Sequence, residues 1–279
     1  MLTPAKINLF LRITGRRPDG YHQLDSLFLP ISLFDRVVIE VDDSAATAAV
    51  ALRCNWPELG PHDANLAVRA ARLFMEERGL NWRVAIDLHK RIPAGAGLGG
   101  GSSDAGAVLR LMAQLAASEP AALAATALRL GADVPFFLDP RPARVGGIGE
   151  RITYLEGTCR LHLAIGVPPF AVSTAEIYRG LQPDQWSGPS PAILPRILDA
   201  TSVTRELLVN DLQQVAIARH STIGEIKVLL QELGAAGVAM SGSGGAVFGI
   251  FADQVQAGVA AQRAAARMPT VRFLTAQTV

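Results

Sequence analysis

Pro93-Ala94-Gly95-Ala96-Gly97-Leu98-Gly99-Gly100-Gly101-Ser102-Ser103-Asp104 is the densest feature of the chain. Its five glycines carry no side chain, so their main-chain N–H groups can come close to a polyphosphate. Ser102 and Ser103 belong to the residue types that cap helix N-termini. Val108, Leu109, Met112 and Leu115 fall on one helical face, which predicts a helix directly after them. A helix starting there offers unpaired N–H groups and the positive end of its dipole to an anion. The serine hydroxyls can donate to phosphate or ligate Mg2+. Upstream, Trp82, Val84, Ile86 and Leu88 alternate with Arg83, Ala85 and Asp87, as in a strand with one buried face. A strand, a glycine arch and an amphipathic helix in that order read as a phosphate site and not as a flexible linker.

Two other phosphate motifs fail here. A Walker A loop ends in Gly-Lys-Ser/Thr, and this loop holds no lysine. Gly95, Gly97 and Gly100 satisfy the dinucleotide pattern G-x-G-x-x-G, with Glu119 downstream. That fingerprint opens a strand–helix–strand unit, whereas here a second helix, from about Pro120 to Leu130 with Gly131 as its stop, follows the first. Residues 89–93 also separate the strand from the loop.

Outward from the loop, the pattern mixes strands and helices without strict alternation, which predicts an α+β fold. Ala5, Ile7, Leu9 and Leu11 alternate with Lys6, Asn8 and Phe10, so Lys6 and Asn8 project from the same face of a strand. A turn over 15–20 leads to Tyr21-His22. Further strands are predicted at 36–41, 161–167 and 246–251, and helices at 64–78, 196–200, 211–233 and 253–267. A Pro- and Ser-rich connection spans 183–195. Residues 234–252 carry no charge but are rich in Gly and Ser. They read as a buried loop between a helix and a strand and not as a membrane span.

Composition narrows the function. Apolar residues make up 49% and charged residues 18%, which suits a buried core and excludes a disordered chain. The net charge is +1 and no basic cluster appears, so nucleic-acid binding is not expected and an anionic ligand must be held locally. The three lysines are Lys6, Lys90 and Lys227, against 23 arginines. Cys54 and Cys159 lie in no paired motif, which predicts reduced thiols in a cytoplasmic protein. Asp133, between a helix stop and an apolar run, reads as a cap, a turn residue or a catalytic base. Tyr21 reads equally as a loop anchor, and Tyr178 as plain core.

The glycine loop resembles the ATP-binding motif of the GHMP kinases. Its triple-glycine form, Gly-Leu-Gly-Gly-Gly-Ser-Ser-Asp-Ala, is similar to the branch acting on a cytidine-diphosphate-linked methylerythritol. Further matching pieces, in family order, are Pro-Ala-Lys-Ile-Asn-Leu (4–9), Arg-Pro-Asp-Gly-Tyr-His (17–22), Gly-Ala-Asp-Val-Pro-Phe-Phe-Leu (131–138), Gly-Ile-Gly-Glu (147–150), Val-Asn-Asp-Leu (209–212) and Ser-Gly-Ser-Gly-Gly (241–245). The resemblance implies a two-domain α+β kinase divided at 155/156, with a ribosomal S5 domain 2-like N-terminal part and a ferredoxin-like C-terminal part. It implies ATP as phosphoryl donor, Mg2+ as its counter-ion held mainly by phosphates and water, and residues 93–103 as the ATP loop.

It also implies catalytic roles for Asp133 and Lys6. The apolar neighbours Val134, Phe136 and Phe137 would push the Asp133 carboxyl up, and a nearby cation such as Lys6 would offset that. Tyr21 is expected to stack on the cytosine and His22 to read its edge. Asn8, Thr174 and Tyr178 complete the expected acceptor site. Ser241, Gly242, Ser243 and Gly244 are expected near the phosphates. No carboxylate is assigned as a direct Mg2+ ligand; Glu150 is expected at most to act on the ion through water. Two departures, Asp139-Pro-Arg-Pro-Ala143 and Gln213 after Asn-Asp-Leu, touch none of this chemistry. The alternative is another GHMP small-molecule kinase, acting on mevalonate, homoserine or a sugar, which would have no use for a Tyr-His pair that reads cytidine.

Overall fold

The structure is a computed structural model that describes residues 1–56, 62–118, 122–157, 160–190 and 207–279. The chain folds into two compact units, each assembled from separated segments. Unit one comprises Met1–Ala5, Leu33–Ala94 and Gly99–Pro140, and unit two comprises Lys6–Ser32, Gly95–Leu98 and Arg141–Val279. Two long strands, β1 (Leu2–Arg16) and β2 (His22–Asp42), contribute to both. β2 has 21 residues, far beyond the strand expected at 36–41.

In unit one the C-terminal part of β2 pairs antiparallel with β4 (Arg83–His89), from Arg36 opposite His89 to Asp42 opposite Arg83. β4 pairs in parallel with β3 (Ala49–Cys54), and α1 (Leu66–Arg78) forms the crossover between them. Val84, Ile86 and Leu88 are buried as their alternation predicts, while Arg83, Ala85 and Asp87 lie on the open face. Helix α1 starts where the Asn65 side chain accepts a hydrogen bond from the Ala67 amide at 2.9 Å, and it stops at Gly79, whose φ of +61° suits glycine. Its buried stripe is Ala67, Val68, Ala70, Ala71, Phe74 and Met75. Helices α2 (Gly100–Leu115) and α3 (Leu123–Leu130) pack with it over one core that includes Leu109, Met112 and Leu130. The expected α3 start at Pro120 lies outside the described residues. A short 3-10 helix, Pro135–Leu138, follows α3.

In unit two the N-terminal part of β2 pairs with β5 (Ala143–Gly147), which forms a hairpin with β6 (Arg151–Tyr154). A second sheet contains β7 (His162–Val167), β8 (Gly237–Met240), β9 (Val247–Phe251) and β10 (Arg272–Gln277) in the order β10-β7-β9-β8. All its pairs are antiparallel. Numbered within the sheet, that order is 4-1-3-2, with helices between the first and second strands and between the third and fourth: the ferredoxin-like split βαβ arrangement. These helices are α4 (Thr174–Gly180), α5 (Gln213–Arg219), α6 (Ser221–Glu232) and α7 (Gln254–Arg267).

Two expectations need correction. The single helix expected at 211–233 is two helices, broken at His220 with φ −140° and ψ 88°. The expected loop at 234–252 holds strand β8 and the tight turn into β9. The helix expected at 196–200 lies outside the described residues. Among the described residues no helix is long and apolar enough to cross a membrane.

Candidate functional site

The glycine arch is laced into its surroundings mainly through main-chain atoms. The amide of Lys6 donates to the Leu98 carbonyl at 3.0 Å, and the amide of Ala246 donates to Ala96 at 3.0 Å. Gly97 has φ +78°, and a Cβ there would lie 2.1 Å from the Ser241 carbonyl oxygen. Only glycine tolerates both demands. Ser241 itself is fully buried; its hydroxyl donates to the Gly97 carbonyl at 3.0 Å and accepts from the Asn8 amide at 3.3 Å. The 241–245 turn and residues 95–98 therefore hold each other's backbones in place.

The helix after the arch begins earlier than its serines suggested. Gly99 is the N-cap, with φ +74°, and α2 starts at Gly100. Ser102 and Ser103 thus lie within the first turn and are not caps, because the left-handed conformation at Gly99 already breaks the chain direction. Ser103 is fully buried, and its hydroxyl donates to the Pro4 carbonyl at 2.6 Å. Thr3 reinforces this contact by donating to the Ser103 carbonyl at 3.0 Å. The Ser103 side chain anchors the helix start. Gly100 is close-packed, since a Cβ would lie 2.9 Å from Ile92 and 3.3 Å from the Lys90 ammonium.

Lys6 and Asn8 share a face of β1 as their spacing predicts. Lys6 is only 3% exposed; it donates to the Asn8 Oδ1 at 2.7 Å and lies 4.5 Å from the centroid of the Phe28 ring. Asn8 is oriented in turn by donating to the Ser26 hydroxyl at 2.9 Å. A buried ammonium held by an amide and an aromatic face is a preorganised cation.

Asp133, in unit one, stands between Gly131 and the 3-10 helix, half-buried beside Val134, Phe136 and Phe137. Its segment rests on α2: a Cβ on Gly106 would lie 2.7 Å from the Phe137 Cβ. Close approach at Gly106 thus ties the aspartate turn to α2. Unit one also holds a buried ionic cluster absent from the expected site residues. Lys90 pairs with Asp35 and, at 2.6 Å, with Asp104. Asp35 also accepts the amides of Arg91 and Ile92 at 2.5 and 2.9 Å. Burial pushes the Asp104 carboxyl up to about 8 against the opposing pull of Lys90, and Asp35 pushes it further in the same direction. Burial acts against the Lys90 charge, but the two aspartates outweigh it and hold its pKa above the ordinary value. Lysine scarcity had marked Lys90 without giving it a role.

In unit two His22 lies 5.4 Å from the Tyr178 ring, centroid to centroid. The His22 imidazole is held below its ordinary pKa, first by burial and then by Arg16, so it is neutral at pH 7. Tyr21 is 62% exposed, leaving its ring open for stacking. The hydroxyls of Thr174 and Ser243 hydrogen-bond at 2.7 Å, joining the start of α4 to the glycine turn. Sequence reasoning missed Trp186, which meets His22 edge-on at 5.8 Å and 90°; a lone tryptophan in a Pro- and Ser-rich segment carries no periodic signal. It also missed what Asn210 and Asp211 do. Asn210 donates to the carbonyls of Met240 and Gly242 at 2.8 and 2.9 Å. Asp211 accepts from the amides of Ile13 and Ser187 at 2.7 and 2.9 Å. Among the described residues no group of three His, Cys, Asp or Glu side chains could hold a metal ion.

The ferredoxin-like sheet, the glycine arch opening α2 and the Ser-Gly-Ser-Gly-Gly turn define a class. Residues 65–139 match the GHMP kinases N terminal domain and residues 199–270 the GHMP kinases C terminal. A homoserine kinase from Cytophaga hutchinsonii shares the fold, with a TM-score of 0.74 at 17% identity over 100% of this chain and 93% of its own. The chain belongs to the GHMP kinases, and within them to the 4-diphosphocytidyl-2-C-methyl-D-erythritol kinase family. The kinase of that name from Symbiobacterium thermophilum is 41% identical over 91% of each chain. That of Anaeromyxobacter sp. (strain K) is 44% identical over 100% of this chain and 90% of its own. The crystal structure of a 4-(cytidine 5'-diphospho)-2C-methyl-D-erythritol kinase superposes with a TM-score of 0.85 at 37% identity, covering 99% of this chain and 98% of its own.

Proposed function

We propose that the chain transfers the γ-phosphate of ATP to the 2-hydroxyl of 4-diphosphocytidyl-2-C-methyl-D-erythritol, a step of the non-mevalonate route to isoprenoid precursors in the cytoplasm. The observation that carries this reading is near-full-length identity of about 40% with kinases of that name. In this mechanism the arch at residues 93–103 offers main-chain amides to the ATP phosphates, supported by the turn at Ser241–Gly244. Mg2+ enters with ATP, held by phosphate oxygens and water. Phosphoryl transfer then needs positioning, charge neutralisation and a proton acceptor. Asp133 takes the proton of the acceptor hydroxyl, and Lys6, oriented by Asn8, stabilises the charge that develops. Tyr21, His22, Thr174 and Tyr178 hold the cytidine end. The family models lie on either side of residues 155/156, which supports a division there into ATP-binding and C-terminal modules.

The test is a coupled phosphorylation assay with ATP, comparing the cytidine-diphosphate acceptor with the same polyol lacking cytidine, and with mevalonate and homoserine. Turnover is expected only with the first. Asp133→Ala and Lys6→Ala are each expected to lower kcat by at least ~100-fold, the low end for acid–base catalysis. Near-normal turnover in Asp133→Ala removes that residue from the base role, and preference for mevalonate or homoserine moves the chain to another branch.

A further inference from the structure

Trp186 belongs to no motif that led to the kinase assignment, yet its surroundings are built. It is half-buried against the core of unit two, and its indole Nε1 is buried with no hydrogen-bond partner among the described residues. The backbone beside it is tied down in three places. Ser187 donates both its amide and its hydroxyl to Asp211, at 2.9 and 2.5 Å. Gly188 donates to the Ile13 carbonyl at 3.1 Å. Ser190 donates its amide to Asp25 at 2.7 Å, and Asp25 is itself gripped by Nε and Nη2 of Arg144 at 2.7 and 2.8 Å. The product of this strap is one indole standing at 90° to the His22 ring.

We propose that Trp186 is a positioning residue for acceptor recognition, holding the His22 imidazole at the angle from which it reads the cytosine edge. This rests on the reading of His22 as the base-contacting residue. A neutral imidazole has one donor nitrogen and one acceptor nitrogen, and which of them faces the base depends on the ring's orientation and its tautomer. Cytosine presents an amino donor beside a ring-nitrogen acceptor, and uracil presents the reverse. In a given tautomer, a ring pinned on one side by Tyr178 and edge-on by Trp186 reads one pattern; a ring free to turn reads both. Trp186 therefore sets discrimination between pyrimidines and leaves the ATP side untouched.

The experiment measures kcat and KM with cytidine- and uridine-linked acceptors for the wild type, Trp186→Leu, Trp186→Phe and His22→Gln. Trp186→Leu is expected to raise KM for the cytidine acceptor roughly tenfold and to cut the cytidine-over-uridine ratio of kcat/KM by a similar factor, the scale of one contact in a recognition pocket. KM for ATP should not change, and Trp186→Phe should recover most of the ratio. If His22→Gln loses the preference while Trp186→Leu keeps it, the inference about Trp186 fails and the reading of His22 stands. If the wild type itself does not distinguish the two acceptors, the reading of His22 fails and takes the inference with it. Should Trp186→Leu not fold, Trp56→Phe/Trp82→Phe leaves Trp186 as the sole tryptophan. Its emission must then shift on titration with the cytidine acceptor but not with ATP, and an unchanged emission overturns the proposal.

Discussion

Asp104 is the residue whose ionisation the fold perturbs most clearly, and the consequence can be signed. It is 3% exposed, and its Oδ1 is buried with no hydrogen-bond partner among the described residues. Burial raises its pKa from 3.8 to about 8. The native state therefore keeps a proton that the unfolded chain gives up, so stability falls as pH rises from about 4 to about 8. Lys90, whose pKa is raised, stays charged throughout that window. With Asp104 protonated, Lys90 and Asp35 form a neutral pair, which a dry site tolerates; a second carboxylate would leave net negative charge there. Asp104→Asn removes the titration but keeps an acceptor for Lys90. The melting temperature of the variant relative to the wild type is expected to climb steadily in the variant's favour between pH 4 and pH 8. A constant difference across that range would show that Asp104 titrates at an ordinary pKa.

The turn between β8 and β9 takes its shape from a side chain some thirty residues earlier in sequence. Asn210 is 8% exposed; besides its two carbonyl contacts it accepts the Leu212 amide at 3.0 Å. Asn210→Ala leaves two carbonyls and an amide without partners in a buried place, which is expected to cost about 2–4 kcal/mol. Urea unfolding at pH 7 measures it. KM for ATP should rise as well, since Ser241 and Gly242 are what Gly97 rests against. A loss within about 0.5 kcal/mol, typical of a surface substitution, would mean that water replaces the amide. The motif Val-Asn-Asp-Leu was visible in the sequence, but its role was not, because a side chain that bonds distant carbonyls leaves no local pattern. The helix at 64–78 and the strand at 82–88 were legible because burial on one face writes a period into the sequence. β1 was legible only as an alternation, since both its faces are buried from Thr3 to Leu11. The start of α2 was misplaced because a glycine in the left-handed region did the work expected of a serine cap.

At the scale of the molecule, the glycine arch and the helix that follows it could be read from residue type alone. The interleaving of the chain could not, because it depends on contacts across more than a hundred residues. Lys6–Ser32 belongs with Arg141–Val279. Leu11 receives main-chain hydrogen bonds from neither neighbour in sequence: its amide donates to Val209 at 2.7 Å, and its carbonyl accepts from Asp211 at 3.0 Å. Leu11 and Ile13 are buried in one core with Val215, Ile223 and Met240. The Val279 amide reaches the Pro30 carbonyl at 3.1 Å, and the Gln277 amide reaches the Ser32 hydroxyl at 2.9 Å. A fragment of residues 1–155 keeps β5, which pairs with the N-terminal part of β2, but strips β1 and Pro30–Ser32 of their bonds to 209–211 and 277–279 and of the core that covers Leu11 and Ile13. Exposing fully buried residues such as Ile13, at about 1.5–3 kcal/mol for each large apolar side chain, is enough to erase the margin by which a domain of this size folds. The fragment is expected to show no cooperative thermal transition by circular dichroism and to aggregate through its exposed strands. Adding residues 156–279 in trans should restore a transition. A sigmoidal unfolding curve from residues 1–155 alone would mean that the first half of the chain carries a self-sufficient core, and that the bonds from Leu11 to the 209–211 segment are incidental to its stability.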